Sequence, residues 1–299
     1  MKKLFSASKS LKKQQAIAGY LFILPNFVGF LAFIFVPLLW SLGISLFNWN
    51  LIEPAKFIGA GNYLRMFKDP LFRKTLYNTL YYTLTSVPLV IVLGLLLAVL
   101  VNGVRRLTMT YRLAIFLPYL IPMVGAALIW QSIYMPNFGI LDYIFDLLGL
   151  PILPWLTSPS WAMPAIVVMS VWKGIGFTFI IFLAGLQGIP GMYYEAAEID
   201  GANGIQQFFK ITLPLLTPTI FFAVVITFID SLKVFDQAFV LTAGGPANAT
   251  KTTVYYLYEQ GFQYLRMGYA SAVGWFLLVV IFLITLLQFV YQRKWVTYE

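Results

Sequence analysis

The sequence predicts an all-α integral membrane protein, a bundle of six transmembrane helices. Three observations carry that expectation. Apolar residues make up 60% of the 299 and charged residues only 10%, against roughly 25% charged in an average soluble domain. So little charge cannot cover a water-facing surface. Six stretches reach the roughly 20 mostly apolar residues that a spanning helix needs. The net charge of +9 is gathered in short basic runs beside those stretches, Lys2-Lys3, Lys12-Lys13, Arg105-Arg106 and Arg293-Lys294. That distribution reports membrane topology, not a nucleic-acid face.

The first span covers about 17–47, with Pro25 and Pro37 as kink positions. Met1-Lys2-Lys3 ahead of it imitates a signal peptide. The apolar stretch is longer than a signal-peptide core, however, and no small-residue cleavage site follows, so it reads as an uncleaved helix. The second span covers about 75–101, and the third about 112–134 with Pro118 and Pro122 inside. The fourth covers 164–186, the fifth 215–241 and the sixth 269–291. Prolines inside a span are tolerated because neighbouring helices or waters satisfy the freed carbonyls. Each stretch therefore reads as one continuous helix, with no broken-helix pair and no internal repeat. The organisation is a cytoplasmic segment 1–16, one transmembrane domain 17–291 and a cytoplasmic tail 292–299.

Six spans put both termini on one side. Lys2, Lys3, Lys9, Lys12 and Lys13 argue that this side is the cytoplasm. Arg105, Arg106 and Arg112 then fall inside, as do 195–210 and the tail. Against this, the first outside loop carries Lys56, Arg65, Lys68, Arg73 and Lys74. That loop, 48–74, also holds Phe57, Tyr63, Phe67 and Phe72, as expected of a segment in the membrane interface. The second outside loop, 136–163, has Asp142 and Asp146 and no basic residue. The third opens on Gly244-Gly245-Pro246, a strong turn signal.

Composition also limits the chemistry. The chain has no Cys and no His, which removes disulfides, thiolates, the commonest metal ligand and the commonest general base. No catalytic constellation and no metal site is expected. The nearest approach to a phosphate-cradling G-x4-G-K-[ST] loop is 245–252, where Thr250 stands in place of the second glycine. No cofactor is expected on this chain.

Two sets of residues remain as candidates. One lies within the polar interruption 188–214. Glu195, Ala196, Ala197 and Glu198 favour a short helix, and Gly201 suits its end. A second helical stretch, about 205–211, leads through Ile211 to Leu213-Pro214. Glu195 and Glu198 share a face and are placed to pair with basic groups on a partner. Read blandly, this is an ordinary acidic loop. The other set is intramembrane: Lys173 in the fourth span, and Asp230, Lys233 and Asp236 in the fifth, with Trp172, Phe177, Phe235 and Gln237 nearby. Charges there should face the bundle interior or a watery path. Either they neutralise one another to hold the bundle, or they line a substrate path. Rings beside carboxylates and amides suit a sugar, whose C–H faces stack while its hydroxyls find partners.

The pattern Glu195-Ala196-Ala197, Gly201, Ile211-x-Leu213-Pro214 resembles the coupling loop of bacterial ABC importer permeases, with no insertion or gap. Further motifs resemble carbohydrate-importing permeases of that superfamily: Phe57-Ile58-Gly59 with Asn62-Tyr63, Asn78-Thr79, and Phe235-Asp236 with Leu241-Thr242 and Gly244-Gly245-Pro246. The first span, with Tyr20-Leu21, Pro25 and Pro37, is similar to the maltose-type first permease subunit. It lacks that prototype's extra helices and large outside domain. The resemblance implies a type I ABC importer permease fold with a cytoplasmic coupling helix, in a bacterial inner membrane. It also implies a second homologous permease, two ATPase subunits holding ATP and Mg, and an external substrate-binding protein. The function it implies is ATP-driven import of a sugar or oligosaccharide by alternating access. It also settles the orientation, with both termini cytoplasmic. The alternatives are the same machinery carrying glycerol phosphate or another small solute, and an ion-gradient carrier or channel using Asp230, Lys233 and Asp236 as a relay.

Overall fold

A computed structural model describes residues 2–103 and 108–296. Arg105, Arg106 and 297–299 lie outside the described residues, as do the side chains of Lys2, Lys3, Lys9 and Lys12. Within them the fold is helical apart from one short ladder, and the chain forms two units.

The first unit is Met1–Arg65 with Gln260–Trp275. Helix α1 (Lys2–Phe30) runs through a π-helical turn, Leu31–Phe35, into α2 (Val36–Ser45). Pro25 stays inside α1, and Pro37 sits in the first turn of α2. The helix thus starts well before the expected boundary at 17. Residues 2–16 are rich in Lys, Leu, Gln and Ala, all good helix formers, and hold no Gly or Pro to stop it. After α2, β1 (Phe47–Asn48) pairs antiparallel with β2 (Lys56–Phe57), and Phe47 opposes Phe57. Asn62, at the start of α3 (Gly61–Lys68), donates to the Ser45 carbonyl (2.8 Å) and the Phe47 carbonyl (2.9 Å). The Tyr63 hydroxyl lies 2.8 Å from Ser45 Oγ. These contacts close the loop on itself.

The second unit is Met66–Glu259 with Phe276–Glu299. Asp69 caps α4 (Pro70–Asn102), accepting from the Leu71 N–H at 2.8 Å, with Pro70 in the first turn. There follow α5 (Thr108–Leu120), α6 (Met123–Ile133), α7 (Ile140–Leu147) and α8 (Ala162–Gln187). Then come α9 (Met192–Ile199), α10 (Gly204–Gln207), α11 (Leu213–Leu215) and α12 (Thr217–Leu232). The last are α13 (Asp236–Thr242), α14 (Thr253–Tyr258) and α15 (Met267–Gln292), of which α15 belongs to this unit from Phe276 on.

Helix α8 is the axis of this unit. Of its most apolar window 61% is buried, against 33% for α4. The two helices pack where Gly94 meets Thr178. A Cβ on Gly94 would sit 2.1 Å from Thr178 Oγ1, so only glycine admits that approach. Ala98, Phe179, Phe182, Leu183 and Leu216 fill one apolar cluster; Tyr82, Ile166, Met169, Val234 and Ala238 belong to another.

Four helices are long and apolar enough to cross a membrane, and six spans result if each of two bent pairs counts as one. The expectation of unbroken helices is corrected here. The third span is α5 and α6 meeting at 98°, and residues 204–215 meet 217–232 at 64°. The expected fifth span, 215–241, stops at Leu232 and restarts at Asp236. At the first break Ile121 precedes Pro122, which disfavours the helical region, and Pro122 itself is extended (φ −53°, ψ 139°). The 64° bend falls at Leu216, between Pro214 and Pro218, neither of which has an N–H to continue the ladder. At the third break Thr252 Oγ1 donates to the Val234 carbonyl (2.7 Å), replacing the helical bond.

Candidate functional site

The polar interruption folds as a closed knob. Helix α9 ends in a complete Schellman motif: Gly201 N–H donates to the Glu198 carbonyl (3.0 Å) and Ala202 N–H to the Ala197 carbonyl (2.9 Å). Gly201 takes φ +78°, the left-handed region that motif needs. Two residues on, Asn203 and Gln206 form a capping box, each side chain accepting from the other's N–H at 2.9 Å. α10 then passes through a π-helical turn, Phe208–Thr212, which holds Ile211, into α11 with Leu213-Pro214. The Tyr194 hydroxyl meets Thr212 Oγ1 at 2.9 Å and ties α9 to that turn. Glu195, Ala196, Glu198 and Gly201 are exposed, while Ala197, Ile211, Leu213 and Pro214 are half-buried. Sequence reasoning missed the knob's apolar surface: Ile199 is 87% exposed and Ile205 73%.

The intramembrane set lines an open cavity of about 350 Å³, within the range of small-ligand sites. Lys173, Phe177, Asp230, Lys233, Phe235, Asp236 and Gln237 all reach it. Trp172 does not; it packs edge-on against Trp130 at 5.6 Å. Lys173 is buried. Its ammonium donates to the carbonyls of Tyr119 (2.7 Å), Pro118 (3.3 Å) and Ile121 at the end of α5, where Pro118 also accepts from the Ile121 N–H. A cation is favoured at that negative helix end. Lys233 pairs with Asp230 at 3.0 Å, in the open and on the turn after α12. Asp236 opens α13 and is exposed, with no partner among the described residues. Tyr119 stacks on Phe177 at 5.4 Å. Gln237 donates to the Tyr82 hydroxyl (3.3 Å) and to Ser170 Oγ (3.4 Å).

Residues 58–297 match the family of binding-protein-dependent transport system inner membrane components. The chain belongs to that family. It is 39% identical to a probable ABC transporter permease, YesP of Bacillus subtilis (strain 168), over 98% of this chain and 95% of the relative. It is 37% identical to the trehalose/maltose transport system permease MalF of Thermococcus litoralis, over 87% of this chain and 88% of the relative. Among solved structures it matches a bacterial alginate ABC transporter in complex with an alginate pentasaccharide-bound periplasmic protein. There the TM-score is 0.85 and the identity 27%, over 96% of each chain. The chain is accordingly a multi-pass permease subunit of the ABC importer class with the type I permease fold.

Several residues that carried the sequence resemblance have structural work in this permease. Asn78 donates to the carbonyls of Asn248 and Lys251, both at 2.9 Å, and Thr79 Oγ1 meets Thr253 Oγ1 at 3.0 Å. These bonds hold the loop that begins at Gly244-Gly245-Pro246 against α4. The cavity also draws on Tyr82, Ser86, Tyr119, Ser170 and Thr227, which sequence reasoning missed. The signal was present: Tyr82 and Ser86 are four apart on α4, and Ser170, Lys173, Gly174 and Phe177 share one face of α8. Single hydroxyls in apolar stretches pass unnoticed unless their helical spacing is counted.

Proposed function

We propose that this permease carries a sugar or oligosaccharide across a bacterial inner membrane by alternating access, driven by ATPases on separate chains. The observation that carries the coupling half is the knob. Its Schellman motif and capping box hold two short helices rigidly, with Glu195, Ala196, Ile199 and Ile205 turned outward. A rigid knob seated in a cleft converts rotation of an ATPase subunit into rocking of the spans. α12 follows the knob directly and ends at the cavity, so the same movement reaches Asp230 and Lys233. The partners in this reading are a second permease, two ATPase subunits holding ATP and Mg, and an external binding protein. The knob and both termini face the cytoplasm, and this chain binds no nucleotide.

A sugar cargo is supported by the rings, hydroxyls and amide that line the cavity and by the trehalose/maltose relative. The test is tagged purification in mild detergent. Recovery of an ATPase and a second permease, with the ATPase held less tightly on Glu195→Ala, is the expected result. A chain that purifies alone and moves solute in liposomes without ATP refutes the proposal.

A further inference from the structure

We infer that the cavity excludes anionic solutes and is built for an uncharged polyhydroxyl substrate; this deepens the sugar reading and rests on it for the substrate class. Among the described residues that line it, the cations are Lys173 and Lys233 and the anions Asp230 and Asp236. A lysine ammonium has three N–H donors and no acceptor. Those of Lys173 meet three carbonyls at the end of α5, so no donor is left for a bound phosphate, sulfonate or carboxylate. The partial negative charge of that helix end offsets part of the ammonium's field, as the first turn of α13 offsets part of Asp236's. Lys233 gives one donor to Asp230 at 3.0 Å, and that exposed pair carries no net charge. What remains is the carboxylate of Asp236, exposed and unpaired among the described residues. Of the exposed charges on the lining, the Lys233–Asp230 pair cancels and Asp236 is left over, so an arriving anion meets a net negative surface, and repulsion of this kind rejects a ligand more sharply than a missing contact does.

The same groups suit a neutral sugar. Asp236 and the amide oxygen of Gln237 accept from hydroxyls, while the stacked pair Tyr119 and Phe177, with Phe235, offers faces to C–H surfaces. On this account glycerol phosphate is not the cargo.

The experiment reads the sign of the cavity directly. The chain has no cysteine, so Met123→Cys in the assembled importer gives one thiol on the lining; Thr227→Cys supplies a second position should the first fail to assemble. Its labelling rates with a cationic trimethylammonium and an anionic sulfonate methanethiosulfonate reagent are each normalised to a free thiol. The cationic reagent is expected to win by about threefold or more, the effect of one exposed carboxylate on the same lining. Asp236→Asn should abolish the preference and Asp236→Lys reverse it. Millimolar glycerol 3-phosphate should leave the rate unchanged. Equal rates, a preference for the anionic reagent, or protection by glycerol 3-phosphate overturns the proposal. Because the readout needs no sugar, it stands or falls separately from the cargo reading, which the purified importer tests by transport.

Discussion

Single residues in this permease act mostly as pins. Lys173 is legible in the sequence as an intramembrane charge, but its partners are not. They are backbone carbonyls beside the break at Ile121-Pro122, more than fifty residues upstream, and no side-chain pattern announces them. Lys173→Met should cost about 2–4 kcal/mol, the penalty for leaving buried acceptors without a charged donor. Lys173→Arg should recover part of it. Thermal unfolding of the purified protein checks both, and an unchanged midpoint for Lys173→Met would remove the pin from this account. Gly94 makes a second test. Gly94→Ala drives a methyl into Thr178 and should cost about 1–3 kcal/mol. Adding Thr178→Ala should return part of that loss, a non-additivity expected of residues in contact. Additive losses would mean that the two helices do not meet at this point. Asn62 and Asn78 belong to the same class. Both appear in the sequence as motif letters, and both prove to be amides fastening loop carbonyls.

At the scale of elements, apolar length located four spans as single helices and two more only as bent pairs, and local capping chemistry decided where each one starts and stops. The Asp69-Pro70 pair is a legible start signal that places α4 five residues before the apolar stretch alone would. The breaks were harder to read. A proline inside an apolar run is compatible with a smooth helix or a sharp bend, and tertiary partners choose between them. Pro25 and Pro88 lie within continuous helices, whereas Pro122 sits at a 98° turn. The knob was the most legible element, because Gly201 and its neighbours spell a helix end directly. Gly201→Val forces a branched side chain into the left-handed region and should cost about 1–2 kcal/mol locally. Asn203→Ala, which removes the next cap, should cost about 0.5–2 kcal/mol. Since both act on the knob, transport-coupled ATP hydrolysis should fall while the amount of protein in the membrane stays level. If hydrolysis remains tightly coupled in the Gly201→Val variant, the geometry of the elbow is irrelevant to coupling.

Over the whole molecule, exposed surface has two different meanings. Most large exposed apolar side chains lie on spans, where lipid is the solvent and exposure carries no penalty. The window of the first span, with none of its residues buried, is the extreme case. Ile199 and Ile205 differ, because they sit on a polar knob between capped helix ends, beside Glu195 and Glu198. In the proposed docking contact the exposed isoleucines would form the centre and the flanking acids the rim, the apolar pair supplying affinity and the acids register. Ile199→Asp should therefore release the ATPase subunit from the purified complex, by tenfold or more in affinity. That follows from burying an unmatched carboxylate where an apolar side chain docked. Glu195→Gln should act more weakly, and its effect should shrink as salt is raised, since a rim charge is screened. Membrane insertion and the melting midpoint of the isolated permease should not change in either variant, because neither side chain packs within the fold. Should Ile199→Asp retain its ATPase at wild-type affinity, the knob's apolar face is not the docking surface, and the coupling contact lies elsewhere on the chain.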